Sequence, residues 1–119
     1  MPTIRILLDN NVSQHLARLL SPHEAIHAAF LGWAALGNGE LIRAAQESCF
    51  TALITCDQNM QHQQNLAGQR LAFIVLTTTH WPTIRDNVAE LLAAVDSVGP
   101  GGYVTINLPK PPRRRRRYS

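Results

Sequence analysis

Short apolar runs alternate along this chain with stretches whose apolar residues recur at helical spacing. Residues 3–8, 52–55 and 71–76 are the short runs and predict strands. The last, LAFIVL, is apolar throughout, as a central strand of a parallel sheet is when helices cover both its faces. Leu16, Leu19 and Leu20, with Val12 leading in, predict a first helix over 13–20 that Ser21-Pro22 stops. Residues 24–30 fit a second strand, although their alanine content also fits a helix. Residues 32–37 read as a loop. Gly37-Asn38-Gly39 is the turn, and Asn38 is the expected N-cap of a second helix over 39–48 whose buried stripe is Leu41, Ile42, Ala44 and Ala45. The polar stretch 58–64 has room for a short helix. Trp81-Pro82 opens a third helix over about 83–95, with Pro82 near its first turn. Gly99-Pro100-Gly101-Gly102 is a turn, and the alternating residues 103–108 read as a last, edge strand. Strands alternating with helices over short links predict an α/β fold around a parallel sheet.

The length, 119 residues, suits one domain over 1–108 followed by a Pro/Arg-rich tail, 109–119, expected to be disordered. No run approaches the roughly 18 apolar residues of a membrane span, and the first strand follows without a leader pattern. Cys49 and Cys56 therefore read as reduced thiols, and the expected compartment is the cytoplasm. The formal charge of +3 conceals a division. Six of the eleven basic residues are Lys110 and Arg113 to Arg117, and the other five arginines against eight acids leave the body at −3.

Two aspartates end strands. Asp9 follows Ile4-Arg5-Ile6-Leu7-Leu8, and Asp57 follows Ala52-Leu53-Ile54-Thr55-Cys56. Ligands of open α/β sheets bind in the crevice at the carboxyl ends of the strands. Two carboxylates delivered there suggest a site for Mg²⁺ or Mn²⁺, cations that take hard oxygen ligands and serve phosphodiester hydrolysis. Glu40, in the first turn of the second helix, is the third candidate, and the helix dipole favours its charge. Asn11 and Asn59, each two residues beyond an aspartate, are placed to orient the carboxylates. The competing reading of each aspartate is a cap or turn former, and of Glu40 an exposed first-turn acid. No GxGxxG or GxxxxGK[ST] loop is present, and the five histidines are read as surface or supporting residues, with no zinc site expected. A receiver-like regulatory domain would need a downstream lysine, and the only lysine is Lys110, in the tail.

In its segments ILLDNN, LGWAALGNGELI, LITCDQN and QQNLAGQRLAFIVL, in order over residues 3–95, the chain resembles the small stand-alone PIN-like domains of bacteria and archaea. The resemblance implies a three-layer fold, a central, mainly parallel sheet flanked by helices, with an acidic pocket. It implies a Mg²⁺- or Mn²⁺-dependent ribonuclease, several of which are thought to be toxins paired with a small DNA-binding antitoxin, and it makes a homodimer plausible. Carried over by position, Asp9 matches the first-strand acid and Asp57 the acid of the T-x-D segment, with Glu40 near the acid that opens the middle helix. Asn38 stands where many relatives carry Asp. This chain also reads Asp9-Asn10-Asn11 where relatives often have Asp-Glu-Asn, and three acids are placed where four are usual.

For an RNA substrate, Gln64 within the polar segment 61–65 and Arg70 ahead of the central strand are candidate contacts, as are Arg113, Arg114 and Arg115 in the tail. Five tail arginines on five phosphates would give a salt slope of about −3.5 on a single strand. The alternatives are a solvated helix face for the glutamines, a surface ion pair for Arg70, and a solubilising or docking role for the tail. Trp33 and Trp81 read as core or dimer-contact aromatics, with Trp33 the better interface residue. The alternative to an enzyme is a PIN-like module with a thinned acid set that binds RNA or a protein without cutting.

Overall fold

The computed structural model describes residues 3–60 and 70–109. The expected helix reaching residue 64, the candidate contact Gln64, and the tail arginines Arg113, Arg114 and Arg115 lie outside those residues.

Strands β1 (Arg5–Leu8), β2 (Glu24–His27), β3 (Ala52–Thr55), β4 (Ala72–Leu76) and β5 (Tyr103–Ile106) form one sheet in the order β2-β1-β3-β4-β5. Every neighbouring pair is parallel. The connections carry α1 (Leu16–Leu19), a 3₁₀ turn (Ala28–Leu31), α2 (Asn38–Glu47), α3 (Trp81–Asp86) and α4 (Val88–Ser97). Side chains alternate across a strand, so each central strand feeds two cores. Ile6, Leu8, Ile54, Ile74 and Leu76 pack on one face with Leu16, Leu20, Ile84, Leu91 and Val95. Leu7, Leu53 and Phe73 pack on the other with Leu41, Ile42, Ala45 and Met60. The result is the expected three-layer α/β architecture. Each fully buried aliphatic or aromatic side chain contributes about 1.5–3 kcal/mol. No helix among the described residues is long and apolar enough to cross a membrane.

The strand expectations for β1, β3, β4 and β5 stand to within two residues at either end. The ambiguous segment resolves into β2 and the 3₁₀ turn because residues 24–27 can pair with β1 along its open edge. Three helical expectations change. The first helix is one turn long, since residues ahead of it are held in tighter i+3 turns: Leu16 N–H bonds Ser13 O, and Ala17 N–H bonds Gln14 O. The third helix is two helices. At Asn87 the backbone leaves helical geometry (φ −117°, ψ 23°) and its amide donates to Thr83 O at 2.7 Å, local bonding by which Asn competes with a helix. The N-cap of α2 is Gly37, and Asn38 is the first helical residue. That shift releases the Asn38 side chain for a different partner.

The end of α2 carries a strained residue. Cys49 adopts φ 66°, the left-handed conformation usually left to glycine. Its N–H bonds Gln46 O at 3.2 Å, and Phe50 N–H bonds Ala45 O at 2.9 Å. These two bonds make a Schellman motif with Cys49 at the glycine position. The exposed Cys49 side chain offsets little of the roughly 1–2 kcal/mol that left-handed geometry costs an L-residue. Cys49→Gly should therefore raise unfolding stability by about 0.5–1 kcal/mol, the larger unfolded-state entropy of glycine taking back the rest. A urea titration checks this, and a lowered midpoint would refute it.

Candidate functional site

In the order 2-1-3-4-5 the chain turns to opposite sides of β1, so β1 and β3 flank the switch point at which the open-sheet rule places a ligand crevice. The residues that leave these two strands are Asp9 and Asp57.

Asp9 is 6% exposed, and a carboxylate so buried needs its oxygens bonded. Asn10 N–H donates to Asp9 Oδ1 at 2.7 Å, and the fully buried Thr55 hydroxyl donates to Asp9 Oδ2 at 2.7 Å. The Thr55 Oγ1 also accepts the Asp57 N–H at 3.0 Å. One hydroxyl thus links both acidic positions. Asp57 is half-buried. Its Oδ1 accepts the Asn59 N–H and its Oδ2 accepts the Asn38 side-chain amide, both at 3.0 Å. Asn11 Oδ1 accepts the Cys56 N–H at 3.0 Å, tying the loop after β1 to the loop after β3. The His27 ring fixes the outer side of the first loop. Its Nδ1 accepts from Ala29 N–H at 3.1 Å, so its Nε2 carries the proton and donates to Val12 O at 2.8 Å.

These contacts gather Asp9, Asp57, Asn11, Asn38 and Asn59 at one edge of the sheet. Asn59 contributes through its backbone N–H and Asn11 through a cross-loop bond. Glu40, expected as the third acid, turns to its own helix. Its Oε1 accepts Gly37 N–H at 3.0 Å, and the residue is exposed, so it serves the first turn of its own helix. Among the described residues no three His, Cys, Asp or Glu side chains gather as a metal site would have them. Arg70, expected as a substrate contact, stands away from the acids. It precedes β4, so the length of a parallel strand, about 16 Å for five residues, separates it from the edge that holds the acids. Its N–H bonds Gln46 Oε1 at 3.3 Å and its carbonyl accepts from Gly101 N–H. Trp33 is half-buried against Phe50, ring centroids 6.2 Å apart in an edge contact, which accounts for it as a core residue. Thr55 is the residue that the sequence reading passed over. The T-x-D spacing held the signal, because a Thr two residues before an Asp at a strand end can bond both its own loop and the neighbouring strand's acid.

The donor set suits a divalent cation in its chemistry. A carboxylate oxygen has two lone pairs, and each of the four oxygens accepts one of the bonds just given. Two carboxylates with water or phosphate completing the shell are an ordinary Mg²⁺ arrangement.

Cys56 lies beside this pair, its thiol donating to Thr78 O at 3.3 Å. Burial first, and the Asp9 charge second, push its pKa up to about 11. Alkylation of Cys56 at pH 9 in EDTA should consequently be slow in the folded protein. Asp9→Asn should speed it by removing the smaller cause, as followed by peptide mass spectrometry; an unchanged rate would mean the Asp9 charge does not reach the thiol. Thr55→Val keeps the shape and removes both bonds of the bridging hydroxyl. It should cost about 1–3 kcal/mol, the scale for leaving a buried polar partner unsatisfied, and an unshifted urea midpoint would refute the bridging role. No family model matches the chain, and no curated protein or solved structure matches it.

Proposed function

We propose that this chain is a metal-dependent ribonuclease of PIN-like type that acts as the toxin of a toxin–antitoxin pair. The observation that carries the nuclease reading is that Asp9 and Asp57 leave adjacent strands at the switch point of a parallel sheet, the Thr55 hydroxyl bonding the Asp9 carboxylate and the Asp57 backbone N–H. The toxin role, an antitoxin partner and a homodimer come from the family resemblance, and a cytoplasmic location from the reading of the two cysteines as thiols. In this reading Asp9 and Asp57 hold Mg²⁺ or Mn²⁺. The ion, when bound, supplies Lewis acidity toward water and phosphate. Thr55 and the Asn10 N–H fix the Asp9 carboxylate, and Asn38 and the Asn59 N–H fix that of Asp57, so neither acid has to reorganise when a phosphate arrives. Glu40 has no direct part.

A second reading, an RNA- or protein-binding module with a thinned acid set, draws on the capping role of Glu40 and on the absence of a three-acid group among the described residues. Cleavage of labelled mixed-sequence RNA with Mn²⁺ or Mg²⁺, against EDTA, separates the two. Loss of a residue that only orients a metal ligand typically costs 10–100-fold, so Asp9→Asn and Asp57→Asn should each lower the rate by at least about 100-fold. Glu40→Gln should stay within a few-fold of wild type. Full cleavage by Asp57→Asn would overturn the nuclease reading, and metal-independent RNA binding without cleavage would favour the module.

A further inference from the structure

Across the sheet face that carries α1, α3 and α4, a groove of about 490 Å³ lies between α1 and α3, lined by His15, Arg18, Leu19, Trp81 and Arg85. It is a shallow depression open to solvent, so a ligand would lie across it instead of being enclosed. Trp81 is half-buried and packs against the core, which holds its ring in place. The His15 ring stands 5.8 Å from it, tilted by 44°. His15, Arg18 and Arg85 are exposed. Although the body carries net negative charge, this groove brings two arginines and a histidine around an aromatic ring. The other described arginines are placed differently: Arg5 pairs with Glu24 and lies over the Phe50 ring, Arg43 is exposed on α2, and Arg70 stands at the opposite end of the sheet.

The groove also has a definite relation to the acids. His15 belongs to the connection from β1, which carries Asp9, and Trp81 opens the helix that follows β4. In a parallel sheet both connections start at the same edge. The β4 connection is joined to the acidic loops by the Cys56 thiol on Thr78 O. Leu108 N–H is held by Thr77 Oγ1 at 2.9 Å, so the chain leading to the arginine tail also departs from this edge. An RNA strand crossing the edge could thus meet the ring and arginines of the groove together with the acids.

We propose that this groove is a subsite for single-stranded RNA, with a base lying against Trp81 and His15 and the flanking phosphates met by Arg18 and Arg85. Aromatic faces receive bases of any identity, and guanidinium groups meet phosphate in a fixed fork. Arg85 is paired with Asp86 at 3.0 Å, but both are exposed, and a surface pair of that kind yields to phosphate at small cost. The proposal rests on the ribonuclease reading for its substrate, yet it is tested without catalysis.

The test is binding of a short labelled single-stranded RNA to the full chain in EDTA across a salt series. Arg18→Ala with Arg85→Ala should weaken binding about tenfold at low salt and flatten the salt slope by about 1.4, from two lost contacts at roughly 0.7 each. In a Trp33→Phe background, RNA should quench the fluorescence of Trp81, and a blunt duplex, whose bases are already stacked, should bind more weakly. Unchanged affinity and slope in the double variant would overturn the subsite, even where Mn²⁺-dependent cleavage is seen. So would absent quenching, or equal affinity for duplex. Conversely, a wild type that never cleaves but loses RNA affinity in the double variant would sink the nuclease reading and leave the subsite standing. The two arginines are exposed, so the result does not depend on whether a Trp81 substitution folds.

Discussion

A carboxylate buried at the end of a strand is costly unless its oxygens are bonded, and one edge of this sheet is organised around meeting that cost for Asp9. One of the two bonds is donated by Thr55, itself fully buried on the neighbouring strand. Its oxygen then takes the Asp57 N–H, so the turn after β3 is placed by the same atom that satisfies the acid after β1. The bonds around the pair extend outward through Asn11, Asn38 and Asn59 into the connecting loops and the first residue of α2. Because every strand runs the same way, these loops gather at one edge, and both acids stand there.

The opposite edge has a different character. There Arg5 meets Glu24 and the Phe50 ring, Arg70 meets Gln46, and Cys49 accepts a strained backbone at the end of α2. These contacts secure turns and helix ends. A basic residue near a core strand in sequence can therefore belong to either edge, and only the direction of the strand decides which.

The strands were legible because a parallel sheet buried on both faces needs continuous apolar runs, and RILL, ALIT and AFIVL are such runs. Asp9 and Asp57 were legible for the same reason, as the first acids after those runs. Helix boundaries were harder. Asn87 breaks the last helical stretch through one side-chain bond to Thr83, which periodicity does not register. Glu40 has the sequence position of a site residue and the contacts of a cap, and the two are distinguished only by the direction its side chain takes. Asn38, expected to cap α2, moves one place into the helix when Gly37 takes the cap, and its amide then reaches Asp57. Thr55 was hidden because its importance comes from two partners, one of them 46 residues away.

That separation has a consequence for how the molecule is assembled. β1 forms its local partnership with β2 early in the chain, but its other side is completed only by β3. Until β3 docks, Asp9 lacks its hydroxyl donor and Asp57 has no fixed position, so a nascent or partly folded chain has no assembled acidic edge. The central strand pair that creates this edge is also the middle of both cores. The edge and the cores therefore share the same strand pair, and a ligand that bound the acids of the folded chain alone would stabilise the whole sheet by mass action.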